Sequence, residues 1–105
     1  MKELKFNERM KAAVLAGKKN VTRRIVKGQP ELEGGDRFKV GDKVFEVTYL
    51  HCEKLLPILN DEIKVEGCDS FIDFCNVWSS CYGEFVNRWV WVYTFKEVEG
   101  EQSEN

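Results

Sequence analysis

The segment at residues 88–96 constrains the fold most, because it alternates with a period of two and is nevertheless apolar on both sides. Trp89, Trp91, Tyr93 and Phe95 share one face, and Val90, Val92 and Thr94 share the other. A strand of this kind belongs in the interior of a sheet covered on both faces, as in a small barrel or a sheet packed by helices. Its aromatic row reads as core rather than as a platform for stacking bases. With 105 residues, 43% of them apolar, the chain suits one domain that buries roughly 65% of its unfolded surface.

The rest of the chain supplies partners for that strand. Asn7 is placed to cap a helix over residues 8–16, with Met10, Ala13, Val14 and Gly17 at helical spacing. Gly17 can adopt the left-handed conformation that ends it, and Val21, Thr22, Ile25 and Val26 then favour a strand. Residues 28–35, with Pro30 and three glycines, form a loop. Gly41 and Asp42 turn a hairpin between a short strand holding Phe38 and Val40 and a longer one over residues 44–52, on which Phe45, Val47 and Tyr49 are expected to share a face. Asn60 is expected to cap a single helical turn. Ser70 and Asp73 have capping-box spacing before a second amphipathic helix carrying Phe71, Phe74, Cys75, Trp78 and Tyr82, which Gly83 ends. The domain spans residues 1–98, and residues 99–105 form an acidic tail expected to be disordered.

Charge is segregated along this framework. Between Arg9 and Lys27 lie seven of the sixteen Lys and Arg residues and none of the eighteen Asp and Glu residues. The formal net charge of -2 therefore conceals a basic segment suited to an anionic ligand or a nucleic-acid backbone. Its centre, Gly17-Lys18-Lys19-Asn20-Val21-Thr22-Arg23-Arg24, straddles the turn from helix to strand.

Several chemistries are excluded by spacing. A phosphate-binding P-loop needs a glycine five residues before Gly17 and a hydroxyl after the lysine, where this chain has Ala12 and Lys19. The only histidine, His51, lacks the companions of a Ser-His-Asp or Cys-His site. The four cysteines, Cys52, Cys68, Cys75 and Cys81, form no Cys-x-x-Cys pair and are expected to pack as small buried apolar groups. No run approaches the ~20 apolar residues of a membrane span, and the first residues lack a signal-peptide core. The expectation is a cytoplasmic monomer with no membrane contact, no metal and no cofactor. One reactive set remains: Lys19 as a base, Thr22 as a hydroxyl nucleophile and Glu66, flanked by Val65 and Gly67, as an acid.

The order of the basic motif through Ile25, then Val40-Gly41-Asp42, Glu66-Gly67, Trp78 with Tyr82-Gly83, and the closing residues 90–95, resembles an ASCH domain over most of the chain. The resemblance implies a PUA-like pseudo-barrel, mainly β with short helices (α+β), of about five to six strands and two to three helices. It also implies a cleft for RNA or nucleotide ligands, bordered by the helix-to-strand motif and the Glu-Gly loop. Among ASCH proteins the bacterial acetylcytidine amidohydrolases are similar in the motif Gly, basic, Lys, Thr, any, Thr, any, Arg. By position this implies Lys19, Thr22 and Glu66 as catalytic residues, with Arg24 as a ligand-binding neighbour; Asn20 stands where the motif has its first threonine. The charges of Lys18 and Arg23 add ligand-binding attraction at the edge of the cleft.

Three readings follow. In a binding module, Lys18, Lys19, Arg23 and Arg24 would neutralise three or four phosphates, giving a log-log salt slope of roughly -2 to -3. In an amidohydrolase, Lys19, Thr22 and Glu66 would cleave an acylated nucleoside. In a structural or interaction domain, the cations would merely decorate a rim.

Overall fold

The structure, a computed structural model, describes residues 1–99. The fold is mixed α+β, a five-stranded curled sheet with three short helices packed on it. In chain order the elements are β1 (Lys2–Glu3), α1 (Glu8–Leu15), β2 (Val21–Ile25), β3 (Arg37–Val40), β4 (Lys43–Lys54), α2 (Asn60–Val65), α3 (Phe71–Tyr82) and β5 (Trp89–Glu97). The strands lie in the order β1-β3-β4-β5-β2, with β1 parallel to β3 and the remaining neighbours antiparallel. The tail expected beyond the domain lies, from Gly100 onward, outside the described residues. No helix among the described residues is long and apolar enough to cross a membrane.

β5 is interior, between β4 and β2, as its two apolar faces require. One face carries Tyr93 and Phe95 into a core with Leu4, Val14, Leu32, Phe38 and Phe45. The other carries Val90 and Val92 against Met10, Leu55, Ile63, Phe74 and Trp78 from the three helices and their connections. Each such side chain contributes roughly 1.5–3 kcal/mol by leaving water, so this strand holds both cores to one sheet. Trp89, at its exposed start, instead lies under the Lys54 ammonium at 5.3 Å.

Local chemistry fixes the helices. Asn7 caps α1, its Oδ1 accepting the Met10 N–H at 2.8 Å, and Gly17 at φ 78° turns the chain out of it. Ser70 Oγ accepts the Asp73 N–H at 3.1 Å at the head of α3. Asn60 departs from expectation: it is the first residue of α2, and Leu59 occupies the cap position without a side-chain bond. Tyr49 departs as well. A register shift between Val47 and Tyr49 puts an additional residue into β4, so Tyr49 falls opposite Thr94 rather than sharing the Val47 face, and it is 59% exposed. The loop between β2 and β3 is anchored by Leu32 in the first core and by the Glu31 N–H, which donates to the Tyr93 hydroxyl at 3.0 Å.

Candidate functional site

The site begins with a backbone clasp. After Gly17 the chain leaves α1 and runs antiparallel to the end of α2, where Lys19 and Glu66 form an isolated β-bridge and the Asn20 N–H donates to Val65 O at 2.9 Å. Asn20 O in turn accepts the Phe95 N–H at 3.0 Å, tying the clasp to β5. Gly67 makes the close approach possible. Its φ is +91°, and a Cβ there would lie 3.2 Å from both Ala13 Cβ and Lys19 Cβ.

This clasp brings together two residues 47 positions apart and buries both, each with only 4% of its surface exposed. The Lys19 ammonium donates to Glu66 Oε1 at 3.0 Å, to Glu66 O at 2.8 Å and to Val21 O at 2.8 Å. Its three protons are thus all engaged. The second Glu66 oxygen accepts Arg23 Nη1 at 2.8 Å, while Arg23 Nη2 reaches Glu53 Oε2 at 3.1 Å and Glu62 Oε2 at 3.3 Å. Burial disfavours the Arg23 charge, but the carboxylates of Glu66, Glu53 and Glu62 outweigh it and hold the guanidinium above its ordinary pKa. Glu53 is held below the usual carboxylate range: its burial acts the other way, and hydrogen bonds from His51 and Arg23 prevail. Continuous contacts therefore run from His51 through Glu53, Arg23 and Glu66 to Lys19.

The remaining motif residues are arranged differently. Thr22 is buried, and its Oγ1 accepts Arg24 Nε at 3.1 Å. Arg24 Nη2 donates to Lys5 O at 2.8 Å, and its guanidinium lies 4.9 Å from the centre of the Phe6 ring. Lys18 and Asn20 are exposed, and neither borders the cavity described next. Thr22 and Arg24 share one face of β2 and Arg23 the other; because β2 is an edge strand, all three reach the same cavity.

That cavity has a volume of about 220 Å³. Its lining combines the polar Lys19, Thr22, Arg23, Arg24 and Glu66 with apolar and aromatic walls from Phe6, Met10, Phe74, Val77, Trp78 and Tyr82. Trp78 and Tyr82, one helical turn apart on α3, have ring centres separated by 4.4 Å. Burial raises the Tyr82 hydroxyl pKa, which the nearby Arg24 charge partly opposes. Cys68 and Cys81 also border the cavity. Cys68 is buried, and burial first, then the Asp73 charge, push its thiol up to about 11. Cys52 and Cys81 are exposed, against the expectation of four buried thiols: Cys52 sits beyond the β4 irregularity, and Cys81 in the last turn of α3.

The structure thus gathers Lys19, Thr22, Glu66, Arg23 and Arg24 at one cavity and leaves Lys18 outside it. The charge pattern places Arg23 among the ligand-binding cations at the edge of the cleft, whereas it is buried among three carboxylates. Glu53, Glu62 and Phe6 were missed. Glu53 and Glu62 are acids in ordinary positions of a strand and a helix, and only the folded register delivers them to Arg23. No protein-family model matches the chain, and no curated protein or solved structure matches it.

Proposed function

We propose that this cavity binds RNA or a nucleotide, taking one base between the walls formed by Phe6, Trp78 and Tyr82 and presenting the Lys19-Glu66-Arg23 cluster to its polar edge. The observation that carries the reading is one cavity lined both by aromatic walls and by a charged cluster whose side chains hold one another in place before any ligand arrives. Convergent polar groups at one end of a concave apolar site are the usual form of a small-molecule pocket, and aromatic walls stack on any base. The resemblance to ASCH domains supports the same ligand class. Because Lys19 and Arg23 are already paired with carboxylates, phosphate neutralisation at the cavity would fall to Lys5 and Arg24. With at most two phosphates neutralised, the salt slope for a single strand should be no steeper than about -1.4.

Trp78 offers a direct readout, since a base seated against it would quench its fluorescence. Saturable quenching by nucleosides or short RNA, lost in Trp78→Phe, is expected; quenching that persists in Trp78→Phe would place the ligand elsewhere.

An amidohydrolase is the second reading, favoured by the shared cavity of Lys19, Thr22 and Glu66 and by the 3.0 Å contact of the first and third. Transfer of one proton from Lys19 to Glu66 along that contact would yield a neutral amine and a neutral carboxylic acid together. Turned from its carbonyl acceptors toward Thr22, whose Oγ1 accepts Arg24 Nε in this structure, the amine would take the Thr22 proton as that oxygen attacks an acyl carbonyl, and Glu66 would protonate the departing amine as the C–N bond breaks. Water would then release the acid from Thr22. The test is turnover of acetylcytidine by the wild type and by Lys19→Ala, Thr22→Ala and Glu66→Ala; equal rates in all four would remove the triad.

A further inference from the structure

We propose that the mouth of the cavity carries a subsite for a phosphate monoester, built by Arg24 and Lys5, so that the occupant is a nucleoside monophosphate rather than an internal residue of a strand. This rests on the nucleotide-binding reading and goes beyond it by assigning the ligand's charge and length.

Four cations border the cavity: Lys5, Lys19, Arg23 and Arg24. Lys19 and Arg23 are neutralised by Glu66, Glu53 and Glu62. Among the described residues no carboxylate pairs with Lys5 or Arg24. The site therefore holds two cations that no carboxylate among the described residues neutralises, and both belong to adjoining parts of the chain, since Lys5 O accepts Arg24 Nη2.

The guanidinium of Arg24 is also oriented. Nε is committed to Thr22 Oγ1 and one Nη2 proton to Lys5 O, and the Phe6 ring supports the guanidinium at 4.9 Å. These contacts leave the two Nη1 protons and one Nη2 proton, donors enough to meet two oxygens of a phosphate. A guanidinium held in place loses little freedom on binding, which is where a preorganised site gains affinity. Lys5 is exposed and supplies a second, mobile charge beside it.

Charge and size then select the ligand. A phosphate monoester carries about -1.5 to -2 charges at pH 7, matching two cations, whereas an internal phosphodiester carries one. The cavity, at about 220 Å³, is smaller than a usual drug-sized pocket of roughly 300–1,000 Å³, a size suited to one ring system whose sugar would lie toward the exposed Lys5. A phosphate on that sugar would emerge at Arg24 and Lys5.

The test compares affinities, read by calorimetry, for a nucleoside, its 5′- and 3′-monophosphates, and the methyl ester of each monophosphate. At least one monophosphate should bind the wild type about tenfold or more tighter than the nucleoside and tighter than its methyl ester. That ratio should shrink below about threefold in Arg24→Gln, be retained in part in Arg24→Lys, and fall in Lys5→Gln. It should also decline as pH drops below about 6, where the monoester loses its second charge. Equal affinity for nucleoside and monophosphates in the wild type would overturn the subsite while leaving base binding intact. A methyl ester binding as tightly as the monoester, or an unchanged ratio in Arg24→Gln, would overturn it as well. Failure of every compound to bind would overturn the parent reading along with it.

Discussion

Glu66→Ala removes the one group that serves both buried cations, and its cost can be worked from the contacts. Lys19 loses the carboxylate it contacts at 3.0 Å and keeps two carbonyl acceptors; Arg23 loses its 2.8 Å partner and keeps Glu53 and Glu62. Removing one member of a buried ion pair typically costs 3–5 kcal/mol, because the surviving charge is left without compensation. The lower end applies here, since Lys19 keeps its carbonyls and Arg23 two acids. A loss of about 3 kcal/mol corresponds to a fall in Tm of about 12–24 °C for a domain of this size. Urea unfolding at pH 7 measures it, with Glu66→Gln expected to lose less because its amide oxygen still accepts. A double-mutant cycle with Lys19→Met and Glu66→Leu should show the double variant at least about 1 kcal/mol more stable than the two single losses predict. A Glu66→Ala cost below about 1 kcal/mol, or strict additivity in the cycle, would refute the view that these charges form one buried cluster, and would restore the reading in which they decorate a rim.

Three further outcomes follow from the same geometry. Gly67→Ala should destabilise by about 1–2 kcal/mol from its φ of +91° alone and weaken nucleotide binding by displacing Lys19; an unchanged urea midpoint would contradict the close approach of the clasp. At pH 8, Cys52 and Cys81 should react rapidly with an alkylating reagent and Cys68 slowly, because the Cys68 thiol is buried and shifted to about 11; peptide mass mapping reads this, and equal labelling would contradict it. Asp73 is held at about 2, below its ordinary 3.8, by Arg9 and the Asp69 N–H, so the folded state binds its proton less tightly than the unfolded chain. Its contribution is complete above about pH 4 and lost as pH falls toward 2, so the stability gap between wild type and Arg9→Ala should narrow over that range; a constant gap from pH 7 to pH 2 would be wrong.

The sequence revealed what local pattern encodes. The two apolar faces of β5, the Asn7 cap, the glycine that ends α1 and the Ser70 cap all appear where periodicity and capping chemistry put them. The placement of Tyr49 was not legible, because the additional residue in β4 arises from pairing with β5 and leaves no mark on the strand's own alternation. In the site, the chain order exposed the basic motif and the Glu66-Gly67 pair but not how the charges are spent. Arg23 and Arg24 are adjacent letters with opposite fates, since successive strand residues face opposite ways and only one side meets Glu53, Glu62 and Glu66. Composition counts both as positive; the fold leaves Arg24 without a carboxylate among the described residues and neutralises Arg23.

The most direct test of nucleotide binding at this cavity is a titration of the isotope-labelled protein with nucleosides, nucleoside monophosphates and short RNAs, followed by amide and indole chemical shifts. Saturable shifts at residues 17–24 and 66–67 and at the Trp78 indole, with little change at the exposed end of β4, are the expected result. Saturable shifts confined to other surfaces, or none at millimolar ligand, would contradict it.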